Sequence, residues 1–169
     1  TPWLQELNTR LDGGLMVHYA SRQGLDARHD PEFDASFAWD MDIVAGYPHR
    51  FWDDSPSRGP GQGFWGIRYP HLGAELRRNP PQALLIPGWL FAGYWQAAGI
   101  SRSLGIPYLV RGESNLLSPR SAATWWLKRQ TIGRLCRGAA GCLSIGSHNT
   151  RLYEAYGVPA ERIWTAPYF

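Results

Sequence analysis

The chain has 169 residues, 44% of them hydrophobic, and it carries a net charge of +3 with an isoelectric point near 9.1. That apolar content suits one compact domain, or one lobe of a larger protein, and excludes a disordered chain. The basic residues are scattered along the sequence, so a nucleic-acid partner is not expected. No apolar run approaches the roughly 20 residues that a membrane-spanning helix needs, and we expect a cytoplasmic protein.

The cysteine and aromatic contents set two further expectations. Cys136 and Cys142 are too close in sequence for a disulfide to constrain much of the chain, and no histidine cluster accompanies them. We therefore expect buried thiols in a reducing compartment and no bound metal. Nine tryptophans and eight tyrosines are unusual for this length; most should lie in the core, and the remainder are available to stack on a ligand.

The first part of the chain predicts few regular elements. Thr1 and Pro2 are typical of a helix start, and Asp12-Gly13-Gly14 ends that helix. The predicted elements that follow are a strand at 15–20 (LMVHYA), a loop at 21–38, a strand at 42–47 and a loop rich in glycine and proline at 53–66. This region is expected to contribute one helix and two strands.

The remainder of the chain alternates between strands and helices. Apolar runs predict strands at 83–87 (ALLIP), 108–110 (YLV), 141–145 (GCLSI) and 162–166 (RIWTA). Helical periodicity predicts helices at 71–79, 121–137 and 147–156, the last with Ser147 as its cap. A further helix is predicted to begin at Trp89, with Leu90, Ala97 and Leu104 on one face. The alternation predicts an α/β protein with a Rossmann-like parallel sheet and helices on both faces.

Polar residues follow three of these strands at their carboxyl ends. Arg111, Glu113 and Ser114 follow the strand at 108–110, whose apolar residues are typical of a strand buried on both faces. Gly88-Trp89 follows the strand at 83–87, and Gly146-Ser147-His148-Asn149 follows the strand at 141–145. Because ligands of open parallel sheets bind beyond the carboxyl ends of the strands, this crevice is the candidate site.

Several common catalytic motifs are missing. No G-x-G-x-x-G dinucleotide fingerprint follows a strand, since Gly59, Gly61 and Gly63 lie in a predicted loop. There is no phosphate-binding G-x-x-x-x-G-K-[ST] loop and no G-x-S-x-G nucleophile elbow. The sequence therefore does not favour an oxidoreductase, a nucleoside triphosphatase or a serine hydrolase.

Several segments, taken in order, resemble the N-terminal lobe of a family 4 glycosyltransferase. They are FAWDMDIVAGYPHRFW, LLIPGW, YLVRGESN, a lysine-bearing helix and LSIGSHNTRLYEAYGVPAERIWTAPYF. The likeness extends from Thr1 to Phe169. It implies one Rossmann-like lobe of the two-lobed GT-B fold, and sugar transfer with retention of configuration from a nucleotide-activated donor.

The resemblance also implies that two lobes bind different substrates. This lobe would bind the acceptor, a saccharide or a lipid-linked sugar, and no cofactor; the nucleotide sugar would bind to a C-terminal lobe, and its leaving phosphate would help to deprotonate the acceptor. That lobe and the first strand of the sheet are missing here. We therefore expect a chain that is inactive alone and a sheet with a vacancy or a borrowed strand between the strands at 15–20 and 83–87. The family further implies cell-surface polysaccharide synthesis, with peripheral contact at the inner face of the membrane.

The candidate catalytic residues are Glu113, Arg111 and His49. Glu113 would accept hydrogen bonds from acceptor hydroxyls, and Arg111 would orient Glu113 or contact phosphate. Alternatively, the two residues form a structural ion pair that closes the strand end. His49 is a candidate proton carrier or phosphate contact.

The candidate substrate-binding residues are Trp39, Asp40, Trp89, Ser114, Ser147, Asn149 and Lys128. The pair Trp39-Asp40 would stack on a sugar and bind its hydroxyls, or else pack and begin a turn. Trp89 lines either the cleft or the core. Ser147 caps a helix, or the backbone amides around it form an anion site together with Asn149. Lys128 faces either solvent or the cleft.

The alternative function is that of a noncatalytic carbohydrate-binding module with a Rossmann-like fold, in which the aromatic residues and the crevice serve recognition alone. One observation would separate the two functions. A glycosyltransferase requires the gene to continue past Phe169 into a second α/β lobe of about 150 to 200 residues, whereas a binding module does not. Neither function calls for a metal ion.

Overall fold

The computed structural model describes residues 2–20, 22, 28–30, 35–37, 44–52, 60–117 and 121–167. The chain divides into two compact units, Thr1–Tyr69 and Pro70–Phe169. The expected α/β class is confirmed, because the second unit is a parallel sheet with connecting helices, the arrangement of a Rossmann-like fold.

The first unit contains one α-helix and four short strands among its described residues. They are α1 (Pro2–Arg10), β1 (Val17–Tyr19), β2 (Arg28–Asp30), β3 (Ala35–Phe37) and β4 (His49–Phe51), followed by a 3-10 helix at Pro60–Gly66. β1 pairs with β4 in parallel, with Val17 opposite His49, whereas β2 and β3 form an antiparallel ribbon. The predicted first helix and the predicted strand at 15–20 are confirmed.

Two predictions for this unit are wrong. The expected strand at 42–47 is a turn at 44–46 followed by a bend at Tyr47 over its described residues. Gly46 has a φ of 84°, and the side-chain amide of Gln5 donates to the Ala45 carbonyl at 2.9 Å. A left-handed glycine beside a carbonyl that is already bonded does not continue a strand. The expected loop at 21–38 contains β2 and β3, whose sequences RHD and ASF carry no sustained apolar alternation.

The second unit is a four-stranded parallel sheet with a helix between each pair of consecutive strands up to β8. Its elements are α2 (Leu72–Arg78), β5 (Leu84–Ile86), α3 (Ala92–Ser103), β6 (Tyr108–Val110), α4 (Ala122–Arg137), β7 (Gly141–Ser144), α5 (Ser147–Ala155), a 3-10 helix at Ala160–Arg162 and β8 (Ile163–Thr165). The strands lie in the order β5-β6-β7-β8. Over the described part of the chain, β1 and β5 belong to different sheets, so the expected vacancy between them within one sheet stays a prediction.

The centre of this sheet is a row of buried apolar side chains. Val110 lies opposite Ile86 on one side and Cys142 on the other, and all three residues are at most 1% exposed. At the opposite end of β6, the hydroxyl of Tyr108 donates to the Leu135 carbonyl at 2.8 Å. That carbonyl lies in the last turn of α4, where the helix has no backbone N–H left to offer, so the phenol completes the helix end.

Two details of this unit differ from expectation. α3 begins at Ala92, so Leu90 lies outside the helix and is 68% exposed, and the predicted stripe through Leu90 is wrong. Ser147 does not cap α5, because the N-cap residue is Gly146 and no side chain caps it. Instead, the buried hydroxyl of Ser144 donates to the Gly146 carbonyl at 2.9 Å and so shapes the start of the helix.

We expect Tyr108→Phe to lower the free energy of unfolding by about 1–3 kcal/mol, because it leaves the Leu135 carbonyl without this partner in a buried site. Tyr94→Phe is the matched control, since the Tyr94 hydroxyl makes no hydrogen bond to a described residue and its loss should be nearly neutral. Urea denaturation measures both variants. If both variants lost the same unfolding free energy, the hydrogen bond from Tyr108 to α4 would contribute nothing to stability.

Candidate functional site

The candidate site lies at the carboxyl ends of the parallel strands in the second unit. Because all four strands run in the same direction, the segments that follow them emerge at one edge of the sheet. Gly88, after β5, has a φ of 99° and lies beside Gly112, after β6; a Cβ on Gly88 would stand 3.7 Å from the Gly112 Cα. The structure therefore brings Gly88-Trp89 together with the residues that follow β6.

Trp89 packs beneath the segment that follows β6. Its indole ring lies so close to Gly112 that a Cβ there would overlap it. The rings of Tyr153 and Tyr156 meet the indole nearly at right angles, at centroid distances of 6.4 and 6.5 Å. The Trp89 carbonyl accepts a hydrogen bond from Trp95 Nε1 at 2.9 Å. Trp89 is half-buried, and these contacts make it the floor of the crevice.

Tyr153 anchors the same segment by a hydrogen bond. Its fully buried hydroxyl accepts from the backbone N–H of Gly112 at 2.8 Å. Burial raises the pKa of Tyr153 above its ordinary value, so the phenol stays neutral. The bond fixes Gly112, and with it the backbone of its neighbours Arg111 and Glu113.

Asn149 connects the segment after β6 to the segment after β7. Its amide nitrogen donates to the Ser114 carbonyl at 2.8 Å, and its amide oxygen accepts from the Ile145 N–H at 3.2 Å. The side chain is only 3% exposed. Two of the predicted substrate-binding residues, Ser114 and Asn149, are thus in contact, and the arrangement suits alignment of the two loops rather than an exposed binding group.

Arg111 and Glu113 lie on either side of Gly112 and differ in exposure. Arg111 is half-buried, and its Nη2 donates to the Ala166 carbonyl beyond β8 at 3.3 Å. Glu113 is exposed. The described contacts include no ion pair between Arg111 and Glu113, so the alternative of a structural ion pair at the strand end is not supported. The Glu113 carboxylate faces solvent at the edge of the sheet.

An open depression of about 400 Å³ lies where α5 meets β8 at this edge. It is lined by Gly146, Ser147, Thr150, Arg151, Glu154 and Thr165. Of the predicted site residues, only Ser147 is among them. The sequence carried a signal for Thr150, Arg151 and Glu154, because positions 147, 150, 151 and 154 follow the spacing that places polar residues on one face of a helix.

Three more of the predicted substrate-binding residues remain, and only one of them lies among the described residues. Lys128 is half-buried on α4, and its side chain forms no ion pair with a residue that the structure describes. Trp39 and Asp40 lie outside the described residues. Their proposed contacts with a sugar stay a prediction.

His49 belongs to the first unit, where it lies on β4 in a group of aromatic rings. Its Nδ1 is 3.2 Å from the Tyr47 carbonyl, which can only accept, so Nδ1 donates in this contact. The rings of Tyr19 and Phe51 meet the imidazole edge-on at 6.3 and 5.5 Å, and the hydroxyls of Tyr19 and Tyr47 are 2.7 Å apart. His49 is exposed. Its geometry suits a proton acceptor or a contact to a hydroxyl.

We expect Gly112→Ala to lower the free energy of unfolding by about 1–3 kcal/mol, because its methyl group would overlap the indole of Trp89, whose ring is packed on Tyr153 and Tyr156. Gly99→Ala in α3 is the matched control. No atom lies within 4 Å of a Cβ at Gly99, so the helix should gain up to about 1 kcal/mol. Chemical denaturation that shows no difference between the two variants would contradict the packing described for Trp89.

Tyr153→Phe should reduce the alkaline sensitivity of the fold. The pKa of Tyr153 is raised in the folded state, so its stabilising contribution is complete below the ordinary tyrosine pKa of 10.0 and is lost as the pH rises above it. Wild type should therefore lose more unfolding free energy than Tyr153→Phe between a pH below 10.0 and one above it. If the unfolding free energies of wild type and Tyr153→Phe depended on pH in the same way, the phenol would ionise as readily in the folded chain as in the unfolded one.

No protein-family model, curated protein or solved structure matches the chain. Within the described residues, no group of three His, Cys, Asp or Glu side chains is placed to hold a metal ion. No helix among the described residues is long and apolar enough to cross a bilayer. Three features of the sheet edge could contact a ligand. These are the exposed carboxylate of Glu113, the guanidinium of Arg111 and the polar face of α5, which together suit the binding of hydroxyl-rich and anionic ligands.

Proposed function

We propose that this chain is the acceptor-binding lobe of a retaining glycosyltransferase with the GT-B fold, which uses a nucleotide-activated sugar. The observation that carries the proposal is the exposed carboxylate of Glu113 on a backbone fixed by buried Gly112 and Tyr153. A carboxylate accepts hydrogen bonds from sugar hydroxyls, and a fixed backbone lowers the entropy cost of binding. The order of sequence segments that resembles family 4 glycosyltransferases supports the same function.

A second feature of the same sheet edge, the depression beside α5, supports a saccharide as the ligand. The depression beside α5 has a volume of about 400 Å³, within the roughly 300–1,000 Å³ of small-molecule sites. Its lining combines the hydroxyls of Ser147, Thr150 and Thr165 with the charges of Arg151 and Glu154. Such a set of donors and acceptors matches the hydroxyls of a sugar and a phosphate group attached to it.

In sugar transfer, this lobe would only need to bind and orient the acceptor. In the proposed reaction, the acceptor oxygen forms a bond to the anomeric carbon of the donor sugar while the bond to the nucleotide phosphate breaks. The acceptor proton passes to the leaving phosphate on the same face. Glu113 and Arg111 would orient the acceptor hydroxyls, and transfer requires both reactants to be held together, so the donor-binding lobe is needed as well.

A noncatalytic carbohydrate-binding module is the second candidate. Tyr19, His49 and Phe51 of the first unit present neighbouring rings on the β1–β4 ribbon, with His49 exposed, as suits stacking on a sugar. In that case saccharides would bind to the chain, but the protein that contains it would consume no nucleotide sugar. Measuring release of nucleoside diphosphate by the full-length gene product separates the two functions.

We expect Glu113→Gln in the full-length protein to lower sugar transfer by an order of magnitude or more. The variant keeps the shape of the side chain but removes the charge, and a lost charge-assisted hydrogen bond costs about 1.5–3 kcal/mol. The melting temperature and donor affinity should change little, because Glu113 is exposed.

Glu161→Gln is the matched control for this experiment, since Glu161 is also exposed but lies on the 3-10 helix before β8. It should transfer sugar as wild type does. A Glu113→Gln protein with full activity per folded molecule would remove this carboxylate from the site.

A further inference from the structure

His18 in β1 accepts a hydrogen bond from a buried indole. The Nε1–H of Trp52, which follows β4, donates to His18 Nδ1 at 3.2 Å, and the two ring centroids are 5.7 Å apart. An indole N–H can only donate, so Nδ1 of His18 carries no proton and the neutral ring carries its proton on Nε2. Trp52 is 2% exposed, so water is a poor alternative partner for its N–H.

This hydrogen bond joins the two strands of the β1–β4 pair. His18 lies opposite Arg50 in the parallel ladder, and the backbone N–H of Trp52 continues the ladder by donating to the Tyr19 carbonyl at 2.9 Å. Because side chains alternate along a strand, His18, Arg50 and Trp52 share one face of the pair. Two strands alone form a marginally stable sheet, so a side-chain contact across them helps to keep the pair closed.

Protonation of His18 removes the acceptor of this bond. Both nitrogens of an imidazolium donate, so the Trp52 N–H would face another N–H and lose its partner in a buried site, which is unfavourable. A cation would also form beside a cation. The guanidinium of Arg50 lies on the same face and stacks on the Trp52 indole, with its Cζ 4.9 Å from the ring centroid.

The other titratable groups described around this contact carry no charge that would favour the imidazolium. The phenol of Tyr69, a group that is uncharged at neutral pH, meets the Trp52 ring nearly at right angles at 6.0 Å. The helix α1 carries one acidic residue, Glu6, which is exposed and paired with Arg10 at 2.8 Å. Below the ordinary histidine pKa of about 6.5, the unfolded chain therefore binds a proton at His18 more readily than the folded chain does.

We propose that His18 is an acid-sensitive switch in the first unit. Near neutral pH, the bond from Trp52 holds β1 against β4; in acid, His18 is protonated, the bond is lost and the pair loosens. The rings on the opposite face of the pair then lose their fixed arrangement; they are Tyr19, His49 and Phe51. The switch rests on contacts within the first unit, so it does not depend on which of the two proposed functions the chain serves.

His49 provides a matched control on the same two strands. Its Nδ1 donates to the Tyr47 carbonyl at 3.2 Å, and a protonated ring keeps that N–H. Protonation of His49 therefore leaves its hydrogen bond intact, whereas protonation of His18 breaks one.

The first test is the protonation state of the His18 ring in the purified chain. Nitrogen NMR chemical shifts should show a neutral ring with its proton on Nε2, and the ring should titrate below the ordinary histidine value of about 6.5. A neutral ring with its proton on Nδ1, or titration at or above the ordinary value, would overturn the proposal. This measurement needs no variant.

The second test is hydrogen exchange of the Trp52 backbone amide, which bonds to Tyr19 across the pair. Between about pH 7.5 and about pH 5.0, its protection factor should fall about tenfold in wild type. His18→Gln should abolish that fall, because the side-chain oxygen of glutamine can accept from Trp52 and does not titrate. His49→Gln should retain the fall. An unchanged protection factor in wild type, or a fall that persists in His18→Gln, would show that His18 is not the switch.

Discussion

The hydrogen bond from the Gly112 N–H to the Tyr153 hydroxyl is the contact on which the candidate site depends. β6 ends at Val110, and the backbone N–H groups beyond it that are buried need a partner outside the strand ladder. A phenol on α5, 41 residues away in sequence, supplies that partner. Glycine is required between the two charged residues because the indole of Trp89 occupies the space of a Cβ. Arg111 and Glu113 can therefore vary in side-chain conformation without moving the backbone that carries them.

The tryptophans show how composition alone leaves aromatic residues unassigned. Trp52 is 2% exposed, and its indole N–H donates to His18 Nδ1 at 3.2 Å, so this ring is structural. Trp125 is fixed by stacking on Tyr156, while its neighbour Trp126 is exposed. Adjacent positions of a helix differ in direction by about 100°, so one ring can pack and the next can face solvent. The many aromatic residues thus serve packing and surface contacts in proportions that only tertiary structure reveals.

The second unit could be predicted from the sequence to within one residue at almost every boundary, because short apolar runs alternate with helices that glycine and proline end. The parallel topology alone was enough to predict that the segments following these strands meet at the carboxyl edge of the sheet. The bond between Gly112 and Tyr153 could not be predicted, because both residues read as ordinary turn and helix positions. In the first unit, β2 and β3 were missed because strands of three residues without apolar alternation carry no periodic signal.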